Sequence, residues 1–467
     1  MAETINLPNL TPRPSSTEID ARSISTAPAT DSRPVSSFTT DNEQQYNPVD
    51  VLPPVDGGRR AWLFLIGATS IEILVWGLPF SIGILHNYWT NTLFKGYGEG
   101  TITLAATLQT GLLYMIAGLF GPVITALPRW QKTMQVFGLV AASVSMIASA
   151  FATKPWHLVI TIGCFYPLSG ACYLPCATLL FEWFHGRRGM ASGIMYAGTG
   201  VGGTIFPFVM SGLINGVGYK AAMISIGIGY LILGSIALIP IQRRIPLSRY
   251  DQSSSGAAGG VRRRQKIDWS FMKRHAMLMG TLTILMTSLG NFIPSLWLPS
   301  YADELHLSNP SGTALIALMN AASVPGNALL GYLSDRLPLY AVVVVSCVGS
   351  AASCAFLWGF GKHEAELVVF VIIFGGLGLS FSALWSKIIS IISRDDPVAP
   401  ALVFSMFTFV RGVGNISSGP VSDALLKISS LKGVTGGYGV HNYGVLLIYT
   451  AVTILSGGAA GLMLRGR

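Results

Sequence analysis

Two ionisable residues raise the first chemical question in this sequence, because each sits deep in an apolar run. Glu72 lies ten residues past Trp62, about 15 Å along a helix. Arg411 lies about thirteen residues into another such run, roughly 20 Å along it. If the runs cross a bilayer, both charges fall near its midplane, where each costs on the order of 2.5 to 3.5 kcal/mol even on the lenient insertion scale. A carboxyl at that depth can take up and release a proton, and a guanidinium can hold an anionic group. The alternative is structural, with each charge serving the other or backbone carbonyls. Gln109, Asn291, Asn320 and Asn327 are neutral groups at similar depth. They can hydrogen-bond an organic molecule, or hold helices together at about 0.6 to 2 kcal/mol each. Tyr114, Tyr166, Trp297 and Trp385 can form aromatic walls or interfacial belts. Lys387, some 30 Å from Glu366 along its run, is expected to snorkel toward a membrane face.

Only membrane-spanning helices would put these groups at such depths, and composition supports them. The chain has 467 residues, 51% hydrophobic and 11% charged, with a mean hydropathy of +0.54. Soluble globular chains carry about 25% charged residues, so this one lacks the polar groups to cover itself in water. A soluble enzyme, a nucleic-acid binder and a fibrous protein are excluded. At roughly 20 residues per span, apolar runs predict helices near 62–86, 101–123, 133–152, 157–180, 188–213 and 219–240. Six more follow near 276–300, 311–333, 339–360, 366–392, 399–424 and 440–464. The predicted fold is therefore an all-α membrane protein of twelve transmembrane helices in two six-helix pseudo-repeats. Its parts are a tail (1–60), an N-terminal half (61–241), a basic loop (242–275) and a C-terminal half (276–467).

The first 50 residues contain 20 Ser, Thr or Pro and no signal-peptide core, which predicts a disordered cytoplasmic tail. With tail and central loop inside, 22 of the 30 Lys and Arg lie inside and 6 outside, so both termini are expected in the cytoplasm. That placement accounts for the net charge of +9 without nucleic acid. No lipidation motif is recognised at either end. Cys164, Cys172, Cys176, Cys347 and Cys354 all fall in apolar runs and read as packing residues. No metal is assigned, because His157, His185 and His441 lack ligand spacing. The stretch GTGVGG at 198–203 follows no strand and is no dinucleotide loop. Gly198 with Gly202, and Gly457 with Gly461, are read as close helix contacts. No nucleotide-binding loop is present to support ATP drive.

The six–loop–six plan resembles the major facilitator superfamily, whose halves rock about a central site. DGGRRAW at 56–62, carrying Asp56, Gly57, Gly58 and Trp62, resembles the first signature of the monocarboxylate porter family. WFHGRRGMASG at 183–193, carrying Arg187 and Arg188, resembles the second. GYLSDRL at 331–337, with Asp335 and Arg336, is similar to the superfamily's loop motif, which implies a gating role for both residues. The matching first-half loop, 121–132, has no aspartate. Animal carriers of lactate-like acids show a lysine, an aspartate and an arginine where this chain aligns Phe80, Asn320 and Val324. The tail and the segment RGVGNISSGP are most similar to fungal members, which are linked with vitamins and secondary metabolites.

The resemblance implies a secondary transporter, not an enzyme, that moves a small organic molecule (organic acid, vitamin or secondary metabolite) by alternating access. A proton gradient is the expected energy source, Glu72 being the deep carboxylate of the first half. Efflux from a fungal biosynthetic cluster is one expectation, and a non-transporting nutrient sensor is the alternative. The expected setting is the plasma membrane, in contact with lipid, as a monomer without cofactor. Substrate or coupling roles are expected among Glu72, Gln109, Asn291, Asn320, Asn327 and Arg411.

Overall fold

A computed structural model of the chain describes residues 53–245, 269–394 and 399–464, apart from 96, 308–310, 432 and 441. Residues 1–52 of the expected tail and most of the central loop, Ser254 included, lie outside the described residues, while 53–60 are described and α1 begins at Arg59. Each predicted apolar run is a helix. In chain order they are α1 (Arg59–Leu93), α2 (Gly100–Ala126), α3 (Pro128–Ser149), α4 (Pro155–Trp183), α5 (Arg188–Val217) and α6 (Tyr219–Leu238). The second set is α7 (His275–Ala302), α8 (Ala314–Arg336), α9 (Leu339–Trp358), α10 (Glu364–Ser393), α11 (Ala399–Ser422) and α12 (Tyr443–Leu462). All twelve are long and apolar enough to cross a membrane. Being even in number, they begin and end at one face, here called the terminal face.

Several helices change their winding along their length. In α4 a π segment, Val159–Phe165, runs into a 3-10 turn at Tyr166–Ser169, where Pro167 lacks the N–H an α-helix needs. In α10 the glycines at 375, 376 and 378 precede a 3-10 stretch, Leu379–Leu384. The third break, in α7, lies between Asn291 and Ile293, just before Pro294. A π segment, Ser353–Trp358, closes α9. The breaks in α7 and α10 are tied together, since Asn291 donates its amide to the Gly378 carbonyl at 3.0 Å.

The halves meet mainly through two helix pairs, α5 with α8 and α2 with α11. Small residues let them approach. A Cβ on Gly193 would lie 2.4 Å from the Asn327 carbonyl, and one on Gly331 2.3 Å from that of Gly189. The glycine pair read from sequence in α5 does the same against α1: a Cβ at Gly198 or Gly202 would stand 2.6 Å from the carbonyl of Thr69 or Ile73. Without a hydrophobic drive between helices in lipid, such backbone approach is the main source of packing energy. The outer surface is apolar, with Ile66, Leu119, Phe208 and Ile239 all more than 60% exposed. In water that surface would aggregate; in lipid it is solvated.

Candidate functional site: an aromatic cavity and a closed terminal face

At the level of the deep charges, the interface of the halves encloses a cavity of about 60 Å³. Trp76 and Phe80 come from α1, Tyr114 from α2, Tyr173 from α4, and Tyr196 with Thr199 from α5. The second half adds Asn320, Ser323 and Asn327 from α8, Leu379, Ser382 and Trp385 from α10, and Arg411 from α11. One side is thus mainly aromatic and the other carries the amides, hydroxyls and the one charge.

Arg411 is held by rings rather than by a carboxylate. Its guanidinium carbon lies 5.4 Å from the Tyr114 ring centre and 5.6 Å from that of Trp385. Cation–π contacts of this kind contribute on the order of 1 to 2 kcal/mol when desolvated. They satisfy the charge but not the donors: Nε and Nη1 are buried without a hydrogen-bond acceptor. An unmet buried donor costs about 1 to 3 kcal/mol, so a ligand bringing an acceptor or an anionic group would recover that energy. Trp76 lies against Tyr114 with ring centres 4.6 Å apart, and Tyr173 meets Trp76 edge-on at 6.0 Å. Phe404 and Phe407 back Trp385 at 5.9 and 6.0 Å. The rings therefore make a rigid wall.

Glu72 is fully buried one turn before Trp76. Thr199 donates to its Oε2 at 3.1 Å, while Oε1 has no partner. It stands behind Thr199 rather than on the cavity surface, and it makes no ion pair with Arg411. Asn320 and Asn327 line the cavity, each also donating to the carbonyl one turn back, Ile316 and Ser323 respectively. Asn291 and Gln109 do not line it. Asn291 braces the broken α10, and Gln109 on α2 is fully buried with both amide atoms unpaired. Of the three positions compared with lactate carriers, Phe80 and Asn320 reach the cavity, whereas Val324 turns toward Gly200 on α5.

Among the four aromatics noted from sequence, Tyr114 and Trp385 line the cavity. Tyr166 instead donates to the Val75 carbonyl at 2.7 Å, and Trp297 lies elsewhere. Trp76, Tyr173 and Tyr196 were not anticipated. Their depth was the available signal: Trp76 is fourteen residues past Trp62, about 21 Å, too far in for an interfacial belt.

Signature residues gather at the terminal face. Asp56 accepts backbone N–H groups of His185, Gly186 and Arg187 at 2.7, 2.8 and 3.0 Å, tying the start of α1 to the α4–α5 loop. Burial opposes ionisation of Asp56, yet the bonds from Gly186, Arg187 and His185 outweigh it and hold the carboxyl below its ordinary range. Gly58 has φ +85°, the left-handed region that a side chain disfavours, and Gly57 beside it has open space. The Trp62 ring meets Phe184 edge-on at 6.4 Å.

Arg187 and Arg188, adjacent in sequence, behave differently. Arg187 is exposed and contributes its backbone. Arg188 bonds the Phe184 carbonyl at 2.9 Å and reaches across the halves to Ser390 Oγ at 2.8 Å. Asp335, at the end of α8, accepts the N–H groups of Gly189 at 3.0 Å and Met190 at 2.8 Å, so it caps α5 of the opposite half. Lys387 Nζ lies 2.7 Å from the same carboxylate. Lys387, expected to snorkel toward a membrane face, reaches this carboxylate at the terminal face with its side chain 24% exposed. Arg336 is exposed over Tyr332 of its own helix, 5.3 Å from the ring, and takes no part in the latch. Ser192 adds bonds to Ala383 and Ser386 at 3.0 and 2.7 Å.

The sequence matches the Major Facilitator Superfamily profile over residues 91–419. Among curated proteins it is similar to an MFS transporter of Aspergillus flavus, asaE, at 26% identity over 432 residues, 91% of each chain. It is also 26% identical to the fujikurins efflux protein of Gibberella fujikuroi over 393 residues, 81% of this chain and 78% of the relative. The aspyridones efflux protein apdF of Emericella nidulans is 26% identical over 329 residues, 69% of this chain and 63% of the relative. Twelve apolar helices among the described residues, a central cavity between two halves and a match covering most of the chain lead to one conclusion: this integral, multi-pass membrane protein belongs to the Major Facilitator Superfamily of transporters.

Proposed function

We propose that the protein is a monocarboxylate-porter-type carrier of the plasma membrane. In this reading it exports an organic metabolite larger than lactate, with an aromatic or amphipathic body and at least one acceptor or anionic group. The observation that carries this reading is the Arg411 guanidinium held between Tyr114 and Trp385 with two unmet donors, inside a wall of aromatic rings. Phe80 and Asn320 in the lining favour a bulky, weakly charged body over a small carboxylate, whose charge would lack paired cations. Two relatives are named as efflux proteins, for fujikurins and for aspyridones, which supports outward movement of such compounds.

At about 60 Å³ the cavity is far below the roughly 300 to 1,000 Å³ of drug-sized sites, so the closed state described here must widen to take cargo. We take the terminal face as cytoplasmic, from the Lys and Arg asymmetry. Opening of the Asp335 latch then admits substrate from the cytoplasm, and reclosure commits it outward. Glu72 is assigned to proton coupling. Rocking of one half against the other would move it between a buried site and water, and the neutral form is the cheaper one to bury. The monomer is taken as the working unit.

The test is transport in a host lacking its own carriers, with radiolabelled lactate and a panel of larger aromatic acids. Saturable efflux of a larger compound with poor lactate transport is expected. Proton-dependent lactate transport matching a known lactate carrier would overturn the cargo assignment, and binding without accumulation would replace transport by sensing.

A further inference from the structure

Thr199 joins the central cavity to Glu72. It is half-buried and lines the cavity, and its Oγ1 donates to Glu72 Oε2 at 3.1 Å, while Oε1 has no partner. Threonines elsewhere in these helices use their hydroxyls differently. Thr69, Thr161, Thr204, Thr283 and Thr450 all donate to the carbonyl one turn back in their own helix. Thr199 on α5 donates instead to a carboxyl on α1, and the adjacent glycine permits that approach: a Cβ at Gly198 would stand 3.1 Å from the Glu72 Cβ. Tyr114 of α2, Tyr173 and Cys176 of α4 and Tyr196 of α5 lie within electrostatic reach of Glu72, but none of them hydrogen-bonds its carboxyl. Trp76, one turn along α1, also lies beside it, yet an indole N–H only donates and cannot take a proton in exchange. Arg411, the charge on the cavity wall, is held over Tyr114 and Trp385 and stays protonated.

A hydroxyl donates one proton and accepts through two lone pairs. One that donates to a carboxylate can therefore accept from water in the cavity at the same moment. We propose that Thr199 is the proton relay between the cavity and Glu72. A hydronium ion in the cavity gives a proton to Thr199 Oγ1 as the Thr199 hydroxyl proton passes to Glu72 Oε2. At Thr199 one O–H bond breaks and one forms, a water molecule is left in the cavity, and Glu72 becomes neutral. Because the two transfers are concerted, no alkoxide forms, and the reverse sequence returns the proton. The relay rests on the assignment of proton coupling to Glu72 and adds the route by which the proton reaches a carboxyl that the cavity itself does not touch.

The full-length protein in liposomes is given a proton jump from a photolysed caged acid, and the carboxylic acid C=O band of Glu72 is followed by time-resolved infrared spectroscopy. The probe is the proton itself, so no cargo is needed. The band is identified by its loss in Glu72→Gln. A positioned proton-transfer group contributes about 10²-fold or more, so in Thr199→Val and Thr199→Ala the band should rise at least about tenfold more slowly, with Thr199→Ser within about twofold of wild type. A merely structural hydrogen bond predicts another pattern: its loss would displace the pH at which the band is half formed and leave the rise time unchanged. That result, or wild-type rates in both the valine and alanine variants, would overturn the relay and leave Glu72 as the proton site. A protein in which no band depends on Glu72 would overturn the coupling assignment itself, and the relay with it.

Discussion

Asp335→Asn is expected to loosen the terminal face while leaving the fold intact. The carboxylate has two oxygens on two α5 N–H groups, at 3.0 and 2.8 Å, and an ammonium at 2.7 Å. Asparagine keeps one oxygen, so one N–H loses its acceptor, at about 1 kcal/mol. The ion pair is lost too. With the side chains of Lys387 and Asp335 only 24% and 9% exposed, it lies between a surface pair and a buried one, at about 1 kcal/mol or somewhat more. Only the N–H bonds require α5 and α8 to be together, because Lys387 on α10 belongs to the same half as Asp335, so about 1 kcal/mol falls on the closed state. That shifts the open-to-closed ratio roughly fivefold. Spin labels on cysteines at His185 and Arg336, in a cysteine-free background, report the separation of the halves by pulsed dipolar spectroscopy. The longer-distance population should rise in Asp335→Asn and less in Lys387→Gln, whose ion pair with Asp335 lies within the second half. For Arg336→Gln the separation is read instead from a cysteine at Leu337, and it should not change, because Arg336 rests on Tyr332. An unchanged distance distribution in Asp335→Asn, or an equal response in Arg336→Gln, would show that the cap does not hold the face closed.

Arg411→Ala should abolish most transport at normal expression, with Arg411→Lys impaired less, because a lysine keeps the charge but loses the planar stack between Tyr114 and Trp385; normal rates in the alanine variant would remove the guanidinium from substrate handling. Glu72→Gln should uncouple transport from an imposed proton gradient while facilitated exchange of substrate persists, measured in proteoliposomes. Asp56→Asn should cost about 1 to 2 kcal/mol of thermal stability at neutral pH. Because the folded carboxyl ionises below its ordinary range, that stability is present above the range and is lost as pH falls through the folded value, so the gap between wild type and variant should close only in strong acid. A cysteine at Ser429 should react with an impermeant reagent on intact cells, and one at Ser254 only after permeabilisation; the reverse pattern would invert the orientation.

Much of the architecture can be read along the chain, because hydropathy and length are one-dimensional quantities. Twelve spans, the depth of Glu72 and Arg411 and the small pairs in α5 and α12 follow from residue type and a rise of 1.5 Å per residue. Signature residues could be noticed but not connected. Asp335 and Gly189 are 146 residues apart, and neither spacing nor composition says that one caps the other.

The rotation of each helix about its own axis had to come from packing. A soluble helix declares its buried face by amphipathicity, but in lipid both faces are apolar, and the sequence of α1 does not distinguish the side bearing Trp76 from the side bearing Ile66. Four amides of similar depth therefore look alike until the helices meet, when Asn320 and Asn327 turn to the cavity and Asn291 to a carbonyl freed by the break in α10. The close approach of Gly193 and Gly331 sets how α5 and α8 face each other. Once that contact is made, the rings around Arg411 have little freedom left.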